Sequence, residues 1–401
     1  MPNAFRRLAA SNIAAQAAEQ VALAAAPLLA VLALGAGAAE TGLLQAAQTL
    51  PFLLLALPVG VLADRVSRPR LMIAAEALRA ATLLAVLALA WGGALDLVAL
   101  AALGFLGAAG TVAQGVAAPA LLPALKPRAG LAVANRWLEL GRSGAFVAGP
   151  ALGGALIGWT GAGPAYGLAA GLSLLSAALL TGLREPPRAA APPRHPLREL
   201  REGVAFVLSH PLLRPILVTA VVFNTAWFVL QAGYVVHAVT HLDLTAGQVG
   251  ATLALYGAGM LAGAVAAPRL ARRLPLGELI ALGPCVAAVA ALLMLATAAL
   301  PSAMLAGLAM FLFGAGPIVW TINTTTLRQA VTPGSMLGRV SATVMTATFG
   351  ARPLGAALGA LLAARYGVEA CLVVSAAGFL AQAAVILASP ARRLQGLPQA
   401  C

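Results

Sequence analysis

Residues 60–70 read GVLADRVSRPR, and this short basic segment separates two long apolar runs, at about 41–63 and 71–91. Each run is long enough to cross a lipid bilayer as a helix, because about 20 apolar residues span the hydrocarbon core. An aspartate and several arginines are crowded into the segment that joins them. The stretch therefore predicts two membrane helices connected by a tight, charged turn.

Long apolar runs joined by short segments continue through the rest of the 401-residue chain. Hydrophobic residues make up 61% and charged residues only 9%, and the mean hydropathy is +0.93, whereas soluble domains have about a quarter of their residues charged. In lipid, only helices and closed β-barrels satisfy all backbone polar groups. The apolar runs do not alternate between apolar and polar residues as barrel strands do. The sequence therefore predicts an all-α membrane protein.

Twelve membrane-spanning helices are predicted. A polar, proline-rich segment at 184–213 separates the sixth from the seventh and turns amphipathic over 197–209, which predicts a cytoplasmic linker that includes a short surface helix. The predicted spans lie at about 10–34, 41–63, 71–91, 95–119, 132–159, 162–183, 214–239, 246–268, 276–299, 302–326, 336–363 and 366–389.

The linker divides the chain into two halves of similar construction. The N-terminal half covers 1–183 and the C-terminal half 214–401, with six spans in each. Pro150 in span five and Pro353 in span eleven take matching places, each followed by small residues and then a glycine turn. A duplication of six spans would produce this match. We therefore expect two pseudo-symmetric six-helix bundles.

The basic residues predict the orientation. The net charge is +13, but arginines stand singly or in small groups in alternate connecting segments, which argues against nucleic-acid binding. Positively charged loops face the cytoplasm, so both termini and the linker are expected there, in a multi-pass protein of a bacterial inner membrane. The opposite segments carry only one basic residue, along with four acids: Arg365, Glu40, Asp96, Asp243 and Glu369.

The charged turn resembles the signature loop of the major facilitator superfamily. The residues that carry the resemblance are Gly60, Asp64, Arg65, Arg68 and Arg70, whereas Ser67 and Pro69 depart from the usual pattern. The resemblance implies a cytoplasmic gate. A glycine allows a neighbouring helix to approach closely, and an aspartate can accept from the N-terminus of a facing helix. By resemblance, the facing helix is span eleven, which begins after Gly338 and Arg339.

Span five contains a second motif, formed by Gly149, Pro150, Gly153 and Gly154. Small residues allow helices to touch, so one interpretation is a packing motif. The order GP-x-x-GG also resembles the antiporter motif of facilitator exporters. Both interpretations can hold, because in an alternating-access transporter one helix bundle rocks against the other across closely packed helices.

Longer stretches resemble one branch of the superfamily. They include FRRL at 5–8, LREGVAFVLSHPLLR at 200–214 and TLRQAVTPGSMLGRVSA at 326–342. That branch contains enterobactin-exporter-like and macrolide-efflux-like carriers. The resemblance implies proton-coupled efflux of amphipathic small molecules such as drugs, macrolides or siderophores. The implied partners are the bilayer, the substrate and protons, with a monomeric carrier and no cofactor or metal.

Acidic residues within spans are costly in lipid and usually face a cavity or a partner. Glu19 and Arg142 each lie about ten residues into spans one and five, or about 15 Å. In the fold that the chain resembles these spans are neighbours, so we predict a proton-sensitive ion pair, with a permanent structural pair as the alternative. Glu139 is the next coupling candidate. Glu76 and Arg79 are predicted to form a structural pair near the cytoplasmic end of span three.

Polar and aromatic residues mark a predicted substrate cavity. On span seven they recur along one helical stripe, whose alternative role is polar packing between helices. Such side chains can offer aromatic faces and hydrogen bonds to a largely apolar substrate. The cavity candidates are Gln16, Gln20, Asn224, Trp227, Gln231, Tyr234 and Arg352.

Other function classes are less favoured by the sequence. No P-loop, nucleophilic triad or metal-ligand spacing is present, so we expect neither an enzyme nor an ATP-driven pump. An importer of the same fold and a non-transporting membrane scaffold remain alternatives. A pure scaffold has no reason to keep Glu19 and Arg142 in lipid.

Overall fold

The computed structural model describes residues 2–125, 131–183, 185, 196–333 and 336–398, and most of these residues are in helices. Ten of the helices in these ranges are long and apolar enough to cross a membrane, which confirms the predicted all-α membrane class. The helices are α1 (Pro2–Leu34), α2 (Ala38–Leu54), α3 (Ala56–Arg65), α4 (Arg68–Trp91), α5 (Leu97–Leu125), α6 (Leu131–Thr160), α7 (Ala162–Leu180), α8 (Pro196–Ser209), α9 (Leu213–Thr240), α10 (Ala246–Ala271), α11 (Leu276–Ala296), α12 (Ala303–Val331), α13 (Leu337–Tyr366), α14 (Val368–Ala388) and a 3-10 helix (Pro390–Arg393).

The second predicted span is two helices rather than one. Helix α2 ends at Leu54 and α3 begins at Ala56, with Leu55 between them. Pro58 follows in the first turn of α3, and a proline has no backbone N–H to continue the hydrogen-bond ladder. The single helix expected over 41–63 is therefore interrupted near its middle.

The third span starts earlier than predicted. Helix α4 begins at Arg68 rather than at 71, with Pro69 in its first turn, where the missing N–H costs nothing. Glu76 therefore lies eight residues, or about 12 Å, into the helix. The predicted position of Glu76 and Arg79 near the helix end is wrong, and both lie well inside the helix.

The first compact unit comprises Met1–Ala191 and Asp243–Ala254. Within it, α1 packs against α6 and α7, and α4 packs against α5 and α7. This unit includes Asp243–Ala254, which contains the start of α10. The sequence predicts the same segment in the C-terminal half. Its backbone at Gly250 lies against α6.

The second compact unit comprises Pro192–Leu242 and Leu255–Cys401. Within it, α9 packs against α13 and α14, and α11 packs against α12 and α14. The amphipathic helix predicted over 197–209 is present as α8, which lies against the start of α13. An ion pair of 2.8 Å between Glu202 and Arg339 joins the two helices.

Candidate functional site

The described part of the first unit contains a buried ion pair on α4. The side chains of Glu76 and Arg79 are 0% and 4% exposed, and Nη1 of Arg79 lies 3.2 Å from Oε1 of Glu76. The same nitrogen donates to the carbonyl oxygen of Ala15 on α1 (3.1 Å), and Nη2 donates to Oγ1 of Thr111 on α5 (2.9 Å). Arg79 therefore joins three helices at one level of the unit.

Glu19 lies on α1 near the level of this ion pair. It is one helical turn beyond Ala15, the residue whose carbonyl accepts from Arg79. Side chains on a helix point back towards its N-terminus, which directs Glu19 towards the Ala15 turn. The sequence pattern marked Glu19, but nothing in it linked Glu19 to α4.

Helices α1 and α6 pack closely along their length. Ile13 lies against Gly141, and Gln20 lies against Gly149, so the two helices run side by side. Gln20 is buried in this contact, whereas Gln16 is half-buried. Of these two cavity candidates, Gln20 therefore contributes to helix packing in this conformation.

Arg142 is half-buried on α6. Its guanidinium carbon lies 5.7 Å from the centre of the Phe146 ring, within the range of a cation–π contact. The ion pair of Arg142 with Glu19 stays a prediction. The side chain of Glu139 lies outside the described residues.

The GP-x-x-GG motif places backbone against backbone on two sides of α6. A Cβ atom added at Gly153 would lie 3.0 Å from the carbonyl oxygen of Val21 on α1. One added at Gly154 would lie 2.7 Å from Cα of Gly250 on α10, and one added at Gly250 would lie 2.6 Å from the carbonyl oxygen of Pro150. The motif therefore packs α6 against both helices within the first unit.

Replacing Gly154 with alanine should destabilise the contact between α6 and α10. The added methyl group would also lie 2.6 Å from the carbonyl oxygen of Ala246, and overpacking of this kind costs about 1–3 kcal/mol. Gly158→Ala is the matched control, since its nearest neighbouring atom, the Gly247 nitrogen, is 3.5 Å away. Thermal unfolding of the purified protein should show a lower midpoint for Gly154→Ala alone. Equal midpoints for the two variants would contradict the assigned packing.

The arginines of the charged turn have different surroundings. Nη1 of Arg68 lies 3.2 Å from Oε1 of Glu185, and its backbone N–H donates to the other carboxylate oxygen (3.0 Å). Glu185 thereby holds the N-terminus of α4, where an anion is favoured. Arg65 and Arg70 are exposed. Glu185 was not among the predicted site residues, because it lies 117 positions from Arg68 in the chain.

Among the described residues, no atom lies within 4 Å of a Cβ placed at Gly60. The predicted approach of a facing helix at Gly60 stays a prediction. The side chain of Asp64 lies outside the described residues, and its contact with the start of α13 stays a prediction. At the start of α13, Arg339 forms an ion pair with Glu202 of α8.

In the second unit, Arg352 of α13 lies against α9. Its Nε donates to Oδ1 of Asn224 (3.3 Å), and its guanidinium carbon lies 4.3 Å from the centre of the Phe349 ring and 5.8 Å from that of Phe228. The structure therefore brings two of the predicted cavity residues together. Phe349 was not among the predicted cavity residues, although it lies one helical turn before Arg352 and therefore on the same face of the helix.

The other members of the α9 stripe have separate environments. Trp227 stacks on Tyr256 with ring centres 4.9 Å apart and meets Phe313 edge-on at 5.2 Å. Gln231 is half-buried, whereas Tyr234 is fully buried and lines no open surface in this conformation. The stripe thus combines an aromatic cluster with a core residue.

Comparison with known proteins places these features in a family. A family profile described as transmembrane secretion effector matches residues 2–399. The multidrug efflux pump Tap of Mycobacterium tuberculosis is 28% identical over 400 residues, covering 97% of this chain and 94% of that protein. The enterobactin exporter EntS of Shigella flexneri is 29% identical over 212 residues, or 53% of this chain and 49% of EntS. That second match spans about half the length of the relative.

Solved structures share the fold. A bacterial homologue of the iron transporter ferroportin, in an inward-facing state, superimposes with a TM-score of 0.75 at 18% identity, covering 96% of this chain and 98% of that one. The nucleoside transporter NupG gives a TM-score of 0.75 at 12% identity over the same shares. The family match covers nearly the whole chain and agrees with the motifs at 60–70 and 149–154. The chain belongs to the transmembrane secretion effector family of major facilitator superfamily transporters.

Proposed function

We propose that the protein is a secondary active exporter that moves amphipathic small molecules out of the cell in exchange for protons. The observation that carries the proposal is the buried charge of the first unit, where the ion pair of Glu76 and Arg79 on α4 also contacts α1 and α5. Ionisable groups inside a membrane bundle are costly and typically mark ion or proton pathways. The similarity to Tap and EntS supports export as the direction.

The proposed architecture has twelve membrane crossings in two six-helix bundles, working by alternating access as a monomer. Counting α2 and α3 as one crossing and placing α8 on the membrane surface leaves six crossings on each side of the linker. The positively charged segments then face the cytoplasm of a bacterial inner membrane, with both termini inside. The substrate is proposed to bind near Asn224, Trp227 and Arg352.

The orientation is tested by reporter fusions. A fusion after Pro192 should report the cytoplasm, and a fusion at Asp243 should report the external side, because arginines concentrate around the first position and not the second. Alkaline phosphatase, active outside, and green fluorescent protein, fluorescent inside, give opposite signals at each position. The reverse pattern would contradict the orientation and the direction of transport inferred from it.

The transport reaction is tested in liposomes that enclose a pH-sensitive dye and an acidic lumen. External ethidium, a macrolide or a catecholate siderophore should enter in exchange for protons, so the lumen should become more alkaline. Ethidium is the most informative probe, because its permanent charge prevents it from carrying a proton as a weak base. Protein-free liposomes are the control.

The alternatives give different signals in the same liposomes. A proton-coupled importer of the same fold would acidify the lumen further as it took up its substrate. A scaffold would change neither the lumen pH nor the substrate distribution. Deleting the gene and profiling drug sensitivity together with secreted metabolites would then narrow the substrate class.

A further inference from the structure

One end of the second unit carries a group of exposed arginines that have no role in the proposed transport. Arg272 and Arg273 lie in the turn between α10 and α11, and Arg392 and Arg393 lie in the 3-10 helix that follows α14. Arg269, in the last turn of α10, is also exposed. These five residues are named the arginine patch.

Tertiary contacts bring the two parts of the arginine patch together. The backbone N–H of Gly277, at the start of α11, donates to the carbonyl oxygen of Leu394 (2.8 Å). A Cβ atom added at Gly277 would collide with the carbonyl oxygen of Arg392. Ala391 is fully buried in an apolar cluster that includes residues of α11. The 3-10 helix is therefore fixed against a residue only four positions after Arg273.

The turn that carries Arg272 and Arg273 also has a fixed place. The ends of α10 and α11 that flank it pack together, because Ala267 of α10 and Leu279 of α11 belong to one buried apolar cluster with Val319 of α12. The arginines from both segments are thus held at one end of the same group of helices.

Neighbouring acids do not balance the positive charge of the arginine patch. Among the described residues, none of its five arginines forms an ion pair, and Arg269 donates instead to the carbonyl oxygen of Val265 in its own helix (3.3 Å). The segments 269–278 and 390–398 contain one acid, Glu278. Five arginines against one glutamate leave a net charge of +4 at this end of the unit.

Exposed apolar side chains lead up to the arginine patch. On α10, Leu261 and Val265 are 43% and 56% exposed. Steps of four, four and three residues lead from Leu261 through Val265 to Arg269 and Arg272, so the four side chains follow one face of the helix. On α11, Val289 is also exposed. An apolar surface that ends in concentrated positive charge matches the form of a lipid with an anionic headgroup.

We propose that the arginine patch binds the phosphate headgroup of an anionic phospholipid, whose acyl chains lie along the exposed apolar face of α10. Guanidinium groups bind phosphate through paired N–H donors, and basic residues at a membrane surface attract anionic lipids. Positively charged loops also orient a membrane protein, but that effect depends on charge alone. It does not require that arginines from two distant segments be gathered by packing at the end of an exposed apolar face.

Native mass spectrometry of the full-length protein tests the lipid site. Protein released from a neutral detergent should retain phosphatidylglycerol in preference to phosphatidylcholine at equal concentrations. Arg272→Gln combined with Arg392→Gln should weaken phosphatidylglycerol binding about 30-fold, since each arginine near a membrane surface contributes about fivefold. The matched control is Arg201→Gln combined with Arg214→Gln, which removes the same charge from two exposed arginines of the same unit.

Three outcomes would overturn the lipid site. Equal retention of the two phospholipids would remove the preference, and equal binding by the patch and control variants would indicate diffuse attraction to charge. Displacement of phosphatidylglycerol by inorganic phosphate at the same concentration would indicate a general anion site. If the patch variant alone unfolded early in neutral detergent, the lipid preference of the wild type and its resistance to phosphate would still decide the proposal. The measurement uses neither substrate nor a proton gradient, so its result is independent of the proposed transport.

Discussion

Arg79→Ala should lower the stability of the protein more than any other single substitution considered for this chain. The change removes the cation from a fully buried carboxylate and breaks the contacts with α1 and α5. Removing one partner of a buried ion pair costs about 3–5 kcal/mol, because the other charge is left uncompensated. The expected result is a large fall in the thermal unfolding midpoint of the solubilised protein, or a loss of folded protein on expression.

Two further variants separate the charge from the size of the side chain. Arg70→Ala changes an exposed arginine on the same helix and should alter stability by no more than about 0.5 kcal/mol. Glu76→Gln combined with Arg79→Gln removes both buried charges and should recover much of the stability lost in Arg79→Ala. If Arg79→Ala were as stable as Arg70→Ala, the ion pair would not be holding the three helices together.

Glu19→Gln should abolish accumulation of substrate against its gradient while allowing downhill flux. Glutamine has nearly the same size as glutamate but cannot carry a proton, so the cavity is retained and the coupling is lost. The residual transport should also become insensitive to pH. The measurement is ethidium flux in liposomes, with and without an imposed proton gradient, at several pH values.

The matched control for Glu19→Gln is Glu369→Gln. Glu369 is exposed at the start of α14, so its neutralisation should leave both uphill transport and its pH dependence unchanged. Uphill export with the normal pH dependence by Glu19→Gln would exclude Glu19 as the coupling residue. Glu139 would then become the next candidate to test.

Most of the fold could be predicted from the sequence, because lipid leaves few choices. Apolar runs of sufficient length form helices, because a helix satisfies all of its backbone hydrogen bonds internally and an irregular chain in the hydrocarbon core would not. The charged linker at 184–213 and the amphipathic pattern over 197–209 likewise predicted α8. The early start of α4 and the break at Leu55 were not predicted, because each depends on where one proline, Pro69 or Pro58, lies relative to a helix end.

The candidate site could be predicted only in part. Glu19 was identifiable because an acid in the middle of an apolar span is conspicuous. The contact of its helix with α4 was not, since it joins Ala15 to Arg79, 64 positions apart in the chain. The spacing of Glu76 and Arg79 predicted their pairing, but it could not show that the guanidinium would be shared with two other helices.

The sequence by itself determined the membrane class, the family and the motifs at 60–70 and 149–154, because hydropathy, charge order and glycine spacing are local properties of the chain. Only the tertiary structure decided which polar groups meet. It placed Glu185 on Arg68, the Ala15 carbonyl on Arg79, and Asn224 on Arg352. The physical reason is that helix packing brings together residues far apart in the chain, and an isolated helix carries no record of its partner's register.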